Sequence, residues 1–215
     1  MQLLAASLLL ASWAVGAALN PLPEGMSIRR QLPANYTLST IKWTLPITEG
    51  GANYTFYGTV QEVFAQINDE RVSQGLEPMP EPAVNNSLGI SSRTNNGDTL
   101  NGRYYTSTIC NVGLPGPANT YRIEQGASYL MGLKGTCENG PGPGNCGRIS
   151  CSYNSAIYWC NDNPYSSSYD CSSFGNYADD AINSCTVDSQ DGDHVTWGQA
   201  FDTLNFNVMV GKDSC

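Results

Sequence analysis

Positive charge is scarce in this 215-residue chain. Ten Lys and Arg stand against nineteen Asp and Glu, a formal net charge of −9. Nucleic-acid backbones and anionic membranes select for basic patches, so neither is an expected partner. Charged residues of both signs make up only 13% of the chain, which leaves the surface to Ser, Thr, Asn, Gln and Tyr. Histidine is scarcer still: His194 is the single imidazole. The nucleophile elbow G-x-S-x-G and the zinc pattern H-E-x-x-H are both missing. No internal repeat is visible. No second long apolar run follows the N-terminal one, so the mature chain is not expected to insert into a membrane. No cysteine precedes Cys110.

The N-terminal run, Leu3 to Val15, is followed by Gly16, Ala17 and Ala18. A moderate apolar run ending in small residues reads as a signal peptide over 1–18. Arg29-Arg30 reads either as a processing site releasing a pro-segment, 19–30, or as two solvated arginines. Residues 31–215 suit a single domain. Three sequons, at Asn35, Asn53 and Asn85, agree with a secretory route and mark candidate glycosylation sites. Eight cysteines then matter: Cys110, Cys137, Cys146, Cys151, Cys160, Cys171, Cys185 and Cys215. An even count in a secreted chain points to four disulfides, in one of about 105 pairings. Each such bridge contributes about 2–5 kcal/mol to a small secreted domain. The expectation is a secreted, extracellular monomer with no cofactor and no metal.

Local patterns predict the elements. Ile41, Trp43, Leu45 and Ile47 alternate with Lys42 and Thr44, a half-buried strand that Pro46 ends or confines to an edge. Tyr54 to Tyr57 returns as its partner. Thr59-Val-Gln-Glu62 is a capping box, and Val60, Val63, Phe64 and Ile67 follow at helical spacing. Ser73 to Leu100 reads as irregular. A strand is expected over 103–112 and a short helix around Ile123, Ala127 and Leu130. A second strong helix carries Phe174, Tyr177, Ala178, Ala181, Ile182 and Cys185, capped by Ser172 or Ser173. Cys185 would staple it to a strand or to the C-terminus, and Cys215 would stop the terminus fraying. An acidic turn over 188–193 precedes two closing strands, 195–201 and 206–210. The sum is α+β: an antiparallel sheet with helices packed on one face, stapled by disulfides.

The organising stretch is Cys137 to Cys160, CENGPGPGNCGRISCSYNSAIYWC. Its Gly/Pro half cannot be helix interior. Its second half, Ile149 to Trp159, suits one central strand bracketed by cysteines. On regular pleating Tyr153 and Trp159 share a face and Tyr158 takes the other. One face is core. The other, with Tyr165 and Tyr169 from the following loop, is a candidate aromatic surface for sugar or protein.

Candidate chemistry is sparse. Asp191-Gly-Asp193-His194 invites a metal or acid–base reading, but an exposed acidic loop before a strand is the preferred one. Glu62, Glu124, Asp162 and Asp170 are the carboxylates available for a glycoside hydrolase. Glu62 already has a capping role. No catalytic residue is assigned.

At CGRISCSYNSAIYWCNDN, and again at FGNYADDAINSC and GQAFDTLNFNVMVGKDSC, the chain resembles a group of small secreted cysteine-rich fungal proteins. YGTVQEVFAQI and IEQGASYLMGLKG extend the resemblance over most of the mature chain. The last third also resembles, more weakly, fungal necrosis-inducing effectors and killer-toxin-like proteins. The resemblance implies secretion and action on a host or competitor, including cell death, and supplies no active-site residues. The expected function is a secreted, non-enzymatic effector or toxin-like protein that binds an extracellular host or competitor protein or glycan. The alternatives are a secreted carboxylate hydrolase, and an inhibitor of a host enzyme that presents the Gly140–Gly144 loop.

Overall fold

The computed structural model describes residue 32 and residues 34–84 and 105–215. The expected signal peptide, the 19–30 segment, the Asn85 sequon and the 85–104 stretch lie outside the described residues. Along the described chain run β1 (Thr37–Ser39), β2 (Lys42–Pro46), β3 (Asn53–Tyr57), α1 (Val60–Ser73), β4 (Tyr105–Cys110), β5 (Ala118–Asn119) and α2 (Thr120–Gly132). Then come β6 (Thr136–Asn139), β7 (Asn145–Ser152), β8 (Ser155–Asn161), β9 (Ser167–Asp170) and α3 (Cys171–Cys185). The chain closes with β10 (Thr186–Asp188), β11 (His194–Thr196), β12 (Gly198–Asp202) and β13 (Phe206–Lys212).

The expected α+β class is observed, with three sheets among the described residues in place of one. A six-stranded sheet has the order β1-β7-β8-β13-β12-β4 and is antiparallel except for the β1–β7 pair. A four-stranded antiparallel sheet runs β3-β2-β6-β9, and a three-stranded one runs β10-β11-β5. The principal core joins the buried stripes of all three helices to one face of the six-stranded sheet and to Trp43, Leu45 and Phe56 of the four-stranded one. At its centre Trp159 stacks on Phe174 with ring centroids 4.3 Å apart.

The opposite face of the large sheet is also covered. Leu114, Cys146, Ala156, Tyr158, Cys160 and Met209 form a second buried cluster under Leu32 and Tyr36. This explains why every residue of β8 is buried. A strand covered on both faces loses its alternation. Tyr158 therefore belongs to a core, not to an exposed aromatic face.

Two local expectations are met in full. Thr59 caps α1 and Glu62 returns the bond to the Thr59 N–H at 2.7 Å, which closes the capping box. Val60, Val63, Phe64 and Ile67 are the buried residues of that helix. Ile41, Trp43, Leu45 and Ile47 are buried and alternate as expected, and β2 ends at Pro46.

Others are corrected. The 149–159 stretch is not one strand but the junction of the hairpin β7–β8. Tyr153 and Asn154 both take positive φ, 48° and 59°, and form its two-residue turn. That is the backbone a tight hairpin needs, and it removes Tyr153 from the face of Trp159. α3 is capped by Asp170, which accepts from the Ser172 N–H at 3.0 Å, and not by Ser172 or Ser173. Residues 195–201 are two strands, β11 and β12, that part at Trp197 and enter different sheets.

A bulge at Ile149 shifts the β7 register. It places Arg148 and Cys151, an odd number of residues apart, on one face. There Arg148 reaches Asp213 at 3.3 Å and Cys151 bonds Cys215. Tyr158 donates to the same Asp213 carboxylate at 2.6 Å. The C-terminus is thus held by sulfur and by a partly buried ion pair. The other bridges are Cys110–Cys185, Cys137–Cys171 and Cys146–Cys160, so all eight cysteines are paired. No helix among the described residues is long and apolar enough to cross a membrane.

Candidate functional site

The three-stranded sheet builds the site. Asn119 of β5 pairs with Val195 of β11, and its side chain also caps α2 by accepting from the Arg122 N–H at 3.2 Å. The first turn of α2 is thereby laid beside the β10–β11 hairpin. Between them runs a groove of about 300 Å³, lined by Asn119, Thr120, Tyr121, Glu124, Gly192, Asp193 and His194.

From Thr120, which lines it, a chain of hydroxyls leads into the protein. Thr120 and Thr196 lie 2.9 Å apart, Thr196 and Thr186 2.8 Å, and Thr186 donates to the Ile182 carbonyl at 2.7 Å. Each hydroxyl has one hydrogen to give. Thr186 spends its own on Ile182, so it accepts from Thr196, which must in turn accept from Thr120. The resulting directed chain ties α2, β11, β10 and α3 together.

The walls carry the titratable groups. Asp188 and His194 are cross-strand partners, and His194 Nδ1 lies 2.8 Å from Asp188 Oδ1. His194 remains 57% exposed. Glu124 faces the groove from α2, where burial pushes its carboxyl above the ordinary range and the nearby His194 draws it partly back. The hairpin tip is shaped by Ser189, whose hydroxyl accepts from the Asp193 N–H at 3.1 Å. Glu124 and His194 come from separate parts of the sequence and meet here. Among the described residues no group of three or more His, Cys, Asp or Glu is placed to hold a metal.

An exposed aromatic array borders the groove. The Arg122 guanidinium lies 3.8 Å from the ring centre of Tyr153 and 5.4 Å from that of Tyr121. Its Nη1 also donates to Gln125 at 2.7 Å. Tyr121 is 43% exposed and Tyr153 74%. At exposed sites a cation–π contact of this kind contributes about 0.5–1 kcal/mol. Sequence reasoning missed Tyr121 and Arg122, and assigned Tyr153 to a strand. The signal it lacked was long-range: only the fold sets the β7–β8 turn against the first turn of α2.

The other candidate residues fall elsewhere. Tyr165 is 63% exposed, whereas Tyr169 is half-buried, with its ring 4.8 Å from Phe206 and 5.9 Å from Trp159. Burial raises its phenol above the ordinary value. Asp162 accepts from the Gly144 N–H and from Asn207, and Glu62 and Asp170 are caps, so these three carboxylates have structural roles. Gly140, Pro141 and Gly142 are bonded to Asn161, Asn145 and Asn163, which packs the Gly140–Gly144 loop onto the sheet. Asn35 and Asn53 are exposed.

No protein-family model matches the chain, and no curated protein and no solved structure matches it.

Proposed function

We propose that the protein is secreted, is not an enzyme, and acts by binding at an extracellular host or competitor surface, as an effector or toxin-like protein. The resemblance to small secreted cysteine-rich fungal proteins supports this reading, as do four disulfides that suit an oxidising compartment. The observation that carries it is the Tyr121–Arg122–Tyr153 array. Exposed aromatic rings and an arginine, fixed on a helix turn and a tight hairpin, are the residue types that dominate binding contacts.

The test is to infiltrate purified, oxidised protein into plant tissue and to add it to cultures of competing fungi, with reduced protein and Arg122→Ala as controls. A tissue or growth response that reduction abolishes and Arg122→Ala weakens supports the reading. Hydrolysis of a glycan with no response in either system overturns it. The hydrolase alternative draws its support from Glu124, a carboxyl with a raised pKa in a groove beside Asp193 and His194.

A further inference from the structure

We infer that the groove between α2 and the β10–β11 hairpin binds an uncharged oligosaccharide, with Tyr121 as its stacking platform. This rests on the binding-protein reading and names its ligand.

The lining offers hydrogen-bonding groups that suit hydroxyls. Glu124 and Asp193 offer carboxylate acceptors, and His194 offers a ring nitrogen. A sugar hydroxyl both donates and accepts, so a mixed lining can satisfy several at once. An apolar ligand would leave these groups without partners. Phosphate, sulfate and uronate would meet the carboxylates of Glu124 and Asp193, with Asp188 and Asp191 on the same hairpin. Arg122, a cation beside this rim, is engaged by Tyr153 and Gln125. Anionic glycans are therefore disfavoured.

The apolar face of a pyranose needs a flat partner. Tyr121 lines the groove and is exposed, and Arg122 links it to Tyr153. Tyr153 is a second exposed ring near this rim, with Arg122 over one of its faces. Preorganisation favours such binding. The hydroxyl chain from Thr120 to Ile182 ties together the elements that carry the groove, so little backbone freedom is lost when a ligand arrives.

The experiment uses the full oxidised chain and three probes: laminarihexaose, chitohexaose and mannohexaose, each titrated calorimetrically. Binding to at least one is expected. Tyr121→Ala should weaken it about tenfold, the scale of one lost aromatic contact. Tyr57→Ala, an exposed tyrosine of β3 outside the groove, should leave it unchanged. Both variants must keep the wild-type near-UV dichroism. Binding to none of the three, or equal binding by Tyr121→Ala, overturns the inference. Parallel binding to plant and fungal cell-wall preparations separates the two readings. Attachment lost only after protease treatment of the wall removes the glycan and leaves the binding-protein reading standing. No attachment to any untreated wall removes both.

Discussion

Cys171 and Cys185 are the first and last residues of α3, and each is bonded to a different sheet. Cys171 joins β6 of the four-stranded sheet, and Cys185 joins β4 at the edge of the six-stranded one. One helix is therefore a covalent strut between the two sheets. The Cys110–Cys185 bridge spans 75 residues and Cys146–Cys160 spans 14. On the chain-entropy account the long loop stabilises by about 4.5 kcal/mol and the short one by about 3. Replacing each pair by alanines should reproduce that order in guanidinium unfolding. A larger loss from the Cys146–Cys160 pair would show that packing in the second core outweighs chain entropy.

Much of the fold was legible where the information is local. The capping box and apolar spacing of α1 lie within nine residues, Thr59 to Ile67, and alternation in β2 needs no knowledge of its neighbours. The failures share a cause. Ser-Tyr-Asn-Ser carries no glycine, so a hairpin turn at Tyr153-Asn154 has only the asparagine to announce it. β8 looks like one side of a core because nothing near it in sequence shows that Tyr36 and Leu114 cover its other face. The candidate site fails for the same reason. Glu124 and His194 were each visible, but their meeting depends on β5, a two-residue strand.

Helix propensity and packing pull in opposite directions at Gly175. Alanine in a helix interior is favoured over glycine by about 1 kcal/mol. A Cβ at Gly175, however, would stand 2.7 Å from the Ala127 carbonyl oxygen and 3.3 Å from the Met131 nitrogen. Both are backbone atoms of α2 and cannot swing aside. Gly175→Ala should therefore destabilise, by about 1–3 kcal/mol as for other overpacked sites. Thermal unfolding decides it, and an increase in Tm would mean that α2 and α3 separate at little cost.

Thr196 is the middle of the hydroxyl chain and is fully buried. Thr196→Val keeps the shape and removes both bonds, leaving the Thr120 hydroxyl without its acceptor. A buried polar group so stranded costs about 1–3 kcal/mol. Thr196→Ser should recover most of that loss. Denaturant unfolding of the two variants measures the difference. If valine is tolerated as well as serine, the chain contributes nothing net, and packing alone holds α2 against β10 and β11.

Glu124 makes stability depend on pH in the direction opposite to a salt-bridged acid. Its carboxyl is raised in the folded state, chiefly by burial, with His194 opposing. The native state therefore holds this proton more tightly than the unfolded chain does. The contribution is full below the unfolded glutamate pKa and is lost as pH rises through the higher folded value. Glu124→Gln removes the titration. At about pH 3.5 the variant and the wild type should melt together, since glutamate is then neutral in both states. At about pH 7 the variant should melt at the higher temperature, because it avoids a partly desolvated charge. His194→Asn removes the opposing influence and should move the Glu124 midpoint further up, as read by carboxyl carbon NMR. Should the Glu124→Gln advantage be the same at every pH, the side chain is solvated in the folded protein, and the groove is shallower than its lining implies.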